Sequence, residues 1–204
     1  MRTRIGIFGG SFDPIHNGHL LLAELCRESM ELDHVRFLIA NLSPLKTGNS
    51  PAKNQDRTEM VQLAIGGNPK FRIDTREMDR GGISYTIDSV RSIAAESPGS
   101  ELFLLMGADT LADISKWRDP LELFRLVTPI VISRGGVGEP NWDALKPYVD
   151  SIRLNEIIKA KVTAPQIEIS SYDLRDRVRR GKSIRYQTPP AVEMFIREHQ
   201  LYCN

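Results

Sequence analysis

Short apolar, β-branched runs alternate with helical patterns along this chain, and that alternation most narrows what it can fold into. The period-2 and short apolar runs predict strands over 5–8, 35–40, 71–74, 102–106, 129–133 and 167–169. The 3.6-residue pattern predicts helices over 20–30, 55–65, 86–95, 121–126, 174–180 and 191–198. Residues 102–106 are apolar throughout, which suits a strand covered on both faces. Strands separated by helices of this length build right-handed βαβ units, so the expected class is α/β: a doubly wound parallel sheet with C-terminal helices. Ligands of such sheets bind beyond the carboxyl ends of the strands, which directs attention to the loops that follow strands.

A chain of 204 residues suits one domain over 1–204 and buries roughly 70% of the surface its unfolded form exposes, so it needs no metal or disulfide staple. The formal charge of +1 excludes a polybasic nucleic-acid coat, so an anionic ligand has to be met by locally placed groups. Cys26 falls in an apolar helical pattern and reads as a small core residue; Cys203 lies beside the chain end, where fraying is expected. Neither suggests a zinc site or a disulfide framework, and a reducing cytoplasm is the expected compartment. The apolar stretch after Met1-Arg2-Thr3-Arg4 is too short for a signal peptide, and no run reaches the length of a membrane span. Segments 41–54 and 134–141 have the composition of surface loops, and Trp142 beside the second reads as a packing residue.

The first strand runs into Gly9-Gly10-Ser11-Phe12-Asp13-Pro14-Ile15-His16-Asn17-Gly18-His19. Glycines there let backbone approach an anion that a Cβ would hold off. A helix beginning near Gly18 aims its free N–H groups and positive dipole end at the same place. His16 and His19 are one turn apart, so both rings project from one face of an exposed helix start, and this loop holds two of the four histidines. A second such site is Ser170-Ser171-Tyr172-Asp173-Leu174-Arg175, where Ser170 and Asp173 have capping-box spacing and Arg175 follows one turn in. The dinucleotide fingerprint G-x-G-x-x-G is absent, and Gly181-Lys182-Ser183 lacks the first glycine of a P-loop. Trp117, between Lys116 and Arg118, stands outside any core pattern and offers a face for stacking.

The His16-x-Gly18-His19 core resembles the HxGH nucleotidyltransferases, a Rossmann-like superfamily. Further segments, in order, resemble bacterial nicotinate-nucleotide adenylyltransferases: Asp56 to Met60, Ser84 to Asp88, Met106 to Asp109, Lys116-Trp117, Ser133 to Gly135, Ile169 to Ser171 with Arg175, and Gly181 to Tyr186. The resemblance implies transfer of AMP from ATP to nicotinate mononucleotide, with nicotinate adenine dinucleotide and pyrophosphate as products. It implies catalytic roles for His16, His19, Lys46 and Arg175. It places ATP on Gly9, Gly10, Ser11, Phe12, Gly18, Gly107, Asp109, Ile169, Ser170 and Ser171. The acceptor falls to Ser84, Tyr85, Thr86, Trp117, Arg118 and Arg134. No protein ligand set for a metal is implied; Mg2+ is expected to ride on the ATP phosphates. The expected partners are ATP and nicotinate mononucleotide, with no nucleic acid and no membrane, and the oligomeric state, a homo-oligomer included, stays open.

Three positions depart from the family pattern. Its Pro-Pro-His-Lys loop is Asn41-Leu42-Ser43-Pro44-Leu45-Lys46 here, so Leu45 replaces a histidine while Lys46 remains. The preceding strand ends Leu38-Ile39-Ala40 where a proline is usual, and Tyr172 stands where threonine is common. Another phosphate acceptor, such as nicotinamide mononucleotide or a pantetheine phosphate, and a non-catalytic nucleotide-binding regulator are the alternative readings.

Overall fold

The computed structural model describes residues 2–44, 51–134 and 138–203, with the Arg134 side chain outside that set. Six parallel strands form one sheet: β1 (Arg4–Gly10), β2 (His34–Ile39), β3 (Phe71–Asp74), β4 (Glu101–Gly107), β5 (Val127–Arg134) and β6 (Val162–Ala164). Their order is β3-β2-β1-β4-β5-β6, the doubly wound order in which the direction of strand addition switches between β1 and β4 and opens a crevice at their carboxyl ends. Nine helices accompany them among the described residues: α1 (Asn17–Ser29), α2 (Asn54–Ile65), α3 (Arg76–Arg80), α4 (Thr86–Glu96), α5 (Ala108–Ala112), α6 (Pro120–Leu126), α7 (Ser151–Lys159), α8 (Ser171–Arg179) and α9 (Pro190–Glu198).

Strand side chains alternate between two apolar layers, which is what a sheet covered on both faces requires. Ile5 and Ile7 of β1 enter one core with Leu102, Leu104 and Met106 of β4 and with Ile87, Val90 and Ile93 of α4. Phe8 enters the other with Phe103 and Leu105 of β4, Ala23 and Cys26 of α1, and Met60 and Val61 of α2. Cys26 is fully buried, as its pattern suggested, and burial pushes its thiol up to about 12. Trp142 packs against the first of these cores.

The last strand is not where the sequence placed it. Residues 167–169 belong to no strand, and the sixth strand is β6, which runs beside β5 from Ile132↔Val162 to Arg134↔Ala164. Pro165 follows with no N–H to donate, so the ladder stops at Ala164. The alternating Ile167 and Ile169 that mimicked a strand instead line a cavity beside α1. Helices α3, α5 and α7 add to those the periodicity predicts. α7 is started by Asp150, whose carboxylate accepts the Arg153 N–H at 2.8 Å. The chain end is not frayed at Tyr202: its hydroxyl donates to Asp13 Oδ1 at 2.5 Å, and Leu201 and Tyr202 pack on the core beneath α1 and α2.

Candidate active site

The loop after β1 is shaped by its own side chains. His16 is the N-cap of α1 and its Nδ1 accepts the His19 N–H at 3.3 Å, while His19 Nδ1 accepts the His16 N–H at 3.3 Å. This is a capping box made of two imidazoles, and the rings stack at 3.6 Å between centroids. Because each Nδ1 is an acceptor, the ring proton of the neutral form sits on Nε2, which makes both histidines donors at that atom. His16 is only 6% exposed, and burial lowers its pKa to about 4, so it is a neutral donor at pH 7. His19 is half-buried rather than on an exposed helix start. Gly18 suits this geometry, since a Cβ there would lie 3.0 Å from His16 Nδ1 and would press on the imidazole. Phe12 takes a left-handed backbone (φ 47°), a costly choice for an aromatic residue, held by burial against Phe8, Phe37 and the edge of His19.

Facing α1 is the segment that leads into α8. Ser170 caps α8, its Oγ accepting the Asp173 N–H at 3.1 Å and donating to Asp173 Oδ2 at 2.6 Å, as the spacing predicted. Two bonds tie this helix start to the first loop: Ser171 Oγ to the Pro14 carbonyl at 2.8 Å and Arg175 Nη1 to the Asp13 carbonyl at 2.7 Å. Between the two helix starts lies a cavity of about 470 Å³, into which Ser11, His16, Gly18, His19, Ile169, Ser170, Ser171 and Arg175 all face. The sequence reading had assigned every one of them to ATP or catalysis. The lining offers imidazole, hydroxyl and guanidinium donors with no carboxylate among the described residues, a set suited to phosphate oxygens. Among the described residues no group of three His, Cys, Asp or Glu side chains is placed to hold a metal ion.

A second cavity, about 380 Å³, opens in the crevice between the ends of β1 and β4. Gly9, Gly10 and Gly107 form its backbone wall, and Thr86 and Trp117 close its far end. Trp117 packs partly on the core around α4 and exposes the rest to this cavity, with its Nε1 buried and without a partner among the described residues. Thr86 opens α4, whose N-cap Tyr85 makes no side-chain cap bond; the Tyr85 carbonyl accepts the Asp88 N–H at 3.1 Å, which leaves the Thr86 and Ile87 N–H groups at the positive end of the helix dipole for an anion. Tyr85 and Arg118 stand behind Trp117 at a smaller pocket of about 100 Å³, with the Arg118 guanidinium 4.7 Å over the Tyr85 ring. Ser11 lines both large cavities and marks where they meet.

Three of the expected contacts sit apart from these walls. Ser84 is buried, with its Oγ accepting the Asn41 N–H at 2.9 Å, so it holds the loop after β2. Asp109 is exposed on the first turn of α5, and its neighbour Thr110 faces the cavity. Phe12 lies under the loop in the core. Leu45, Lys46 and the Arg134 side chain lie outside the described residues. Two buried charged groups at the site, Glu77 and Arg57, are ones to which the sequence assigns no role. Glu77, 4% exposed, lines the second cavity and accepts from Ser89 Oγ at 2.6 Å. Arg57 is fully buried under both loops. The i, i+3 and i, i+4 spacing of Arg57 with Met60 and Val61 places it on the inner face of α2, and that spacing was the available signal. Glu77 had none.

A parallel sheet with an HxGH loop at its switch point and a donor-lined cavity beside it narrows the possible relatives sharply. The sequence profile of the cytidylyltransferase-like family matches residues 7–177. The chain belongs to that family. Within it, the chain is 38% identical to the probable nicotinate-nucleotide adenylyltransferase of Rhodopirellula baltica, over 97% of this chain and 92% of that one. It is 39% identical to the probable nicotinate-nucleotide adenylyltransferase of Thermus thermophilus, over 98% and 99%. Such identity over nearly the whole length places it among the nicotinate-nucleotide adenylyltransferases. The fold is shared with the Plasmodium falciparum nicotinic acid mononucleotide adenylyltransferase solved in complex with NaAD, at a TM-score of 0.72 and 20% identity over 99% of this chain and 98% of that one.

Proposed function

We propose that this cytidylyltransferase-like chain, acting as one catalytic unit over its length, transfers the adenylyl group of ATP to the phosphate of nicotinate mononucleotide. The observation that carries this reading is the meeting of two unlike cavities at Ser11: one lined by His16, His19, Arg175 and two helix starts, the other ending in Trp117 and the uncapped start of α4. The first suits a triphosphate; the second suits a flat ring that bears a carboxylate. In the reaction an acceptor phosphate oxygen attacks the α-phosphorus. The bond to the oxygen bridging the α- and β-phosphorus breaks, and pyrophosphate leaves with the electron pair. The nucleophile is already an anion, so no general base is needed. Catalysis is positioning, together with neutralisation of charge that grows on the phosphorus oxygens and the departing pyrophosphate.

The neutral His16 and its partner His19 offer Nε2–H donors to this charge, and Arg175 adds a fixed positive charge held by the Asp13 carbonyl. Lys46, on the loop after β2, is assigned to the same phosphates. A divalent ion, Mg2+ in this reading, would enter on the triphosphate. Thr86 and the α4 dipole favour an acid over the neutral amide at the ring end of the second cavity. No helix among the described residues is long and apolar enough to cross a membrane. The test is pyrophosphate release with ATP, Mg2+ and a panel of acceptors. Nicotinate mononucleotide is expected to give the highest kcat/KM. Greater turnover with nicotinamide mononucleotide or a pantetheine phosphate would refute the acceptor assignment.

A further inference from the structure

Arg57 is fully buried, yet its bonds run to backbone carbonyls and an amide oxygen rather than to a carboxylate. Nη1 donates to the Ser11 carbonyl at 2.8 Å and to the Ala40 carbonyl at 2.7 Å; Nη2 donates to Asn54 Oδ1 at 2.6 Å and, at 3.4 Å, to the Asn41 carbonyl. The acceptors come from three places: the loop after β1, the end of β2 with the loop after it, and the start of α2. Burying a guanidinium is expensive, and an apolar side chain of similar volume would serve packing alone at less cost. Burial pulls the pKa of this group down, and the buried Asp13 carboxylate opposes that pull. What the guanidinium supplies that an apolar residue cannot is a planar fork with fixed donor directions. Its acceptors bear on the site directly. Ser11 is the wall shared by the two cavities, Ala40 lines the second, and the Ala40 N–H is bonded across to the Gly10 carbonyl at 2.9 Å.

We propose that Arg57 is a positioning residue that holds the loops after β1 and β2 in one relative placement, and so sets the alignment of the two substrates where their cavities meet. The proposal rests on the adenylyl-transfer reading for its kinetic consequence, but not for its structural one. Either substrate alone occupies a single cavity and tolerates a small relative shift. The transfer step needs both aligned, and a misplacement on the order of 1 Å can cost about 100-fold.

Arg57→Lys keeps the charge and most of the length but replaces the fork with an ammonium that cannot span three segments. It is expected to lower kcat by about 10- to 100-fold with each KM within about threefold of wild type. The Ala40 amide is expected to exchange hydrogen at least about tenfold faster while the melting temperature stays within a few degrees. A kcat within twofold of wild type would overturn the proposal, as would both KM values rising together with a collapse in melting temperature. If Arg57→Lys does not fold, Asn54→Ala takes its place, because Asn54 is exposed and its removal opens no core. It is expected to lower kcat about three- to fivefold and to speed Ala40 exchange, and the absence of both effects would equally sink the idea. A wild-type protein that releases no pyrophosphate with any acceptor would count against the adenylyl-transfer reading alone. Amide exchange would still decide the role of Arg57.

Discussion

His19 occupies two roles that a single truncation would confound, and the structure suggests how to separate them. Its Nδ1 accepts the His16 N–H while its Nε2–H points its donor capacity away from that bond. Replacing His19 by Ala therefore removes half of the capping box and the ring stacked at 3.6 Å on His16. The lost bond is long, at 3.3 Å, so the stability cost should be modest, about 1 kcal/mol. In a chain of this size that lowers the melting temperature by about 2–4 °C. The catalytic loss should be larger: a donor to charge that develops in the transition state is worth about 10²–10³ in kcat. His19→Asn distinguishes the two roles, because the amide oxygen can stand where Nδ1 stands and keep the His16 N–H satisfied, yet nothing replaces Nε2. The expected pattern is a melting temperature restored to near wild type with kcat still depressed as in the Ala variant. Thermal melts and steady-state pyrophosphate release on both variants decide it. Recovery of kcat alongside the melting temperature in His19→Asn would show that His19 acts only by shaping the loop.

Trp117→Ala should raise KM for nicotinate mononucleotide several-fold, about 1 kcal/mol for a lost stacking face, and leave KM for ATP nearly unchanged. Equal effects on both substrates would return Trp117 to the core against which it partly packs. A third outcome concerns acid. His16 has a folded-state pKa lowered to about 4 by burial, against an ordinary value of 6.5, so the unfolded chain binds its proton first. The stability is complete above pH 6.5 and is lost as pH falls toward 4. The share due to His16 between pH 7 and pH 5 is roughly 2 kcal/mol. Urea unfolding at those two pH values should show a smaller acid loss in His16→Asn than in wild type. His34, whose pKa is likewise lowered to about 4 by burial and by Arg72 and Arg36, keeps part of the acid loss in both proteins. An identical loss in the two would contradict the buried, neutral state of His16.

The parts of this protein legible in its residues are those whose physics is local. The alternation of strand and helix, the HxGH turn, the Ser170 cap and the polar sequence setting of Trp117 each depend on neighbours within about a turn of chain, so periodicity and spacing expose them. The sixth strand misled for the same reason. Ile167 and Ile169 carry the right pattern, but strand identity is conferred by a partner, and β5 offers its free edge to Val162–Ala164 just before Pro165 ends the ladder. Lengthy closures decided the remainder. Tyr202 reaches Asp13 across 189 positions, Arg175 reaches the Asp13 carbonyl across 162, and Arg57 reaches the Ser11 carbonyl across 46. No window of sequence holds both ends of such a bond. Glu77 shows the same limit in another form, since an acidic residue on a short helix reads as solvated until α4 brings Ser89 within 2.6 Å of it. Sequence could name the donors and stacking groups because side-chain chemistry travels with the residue. Only the folded chain could make Ser11 the common wall of two cavities, because that depends on where the direction of strand addition switches and on what is buried beneath it.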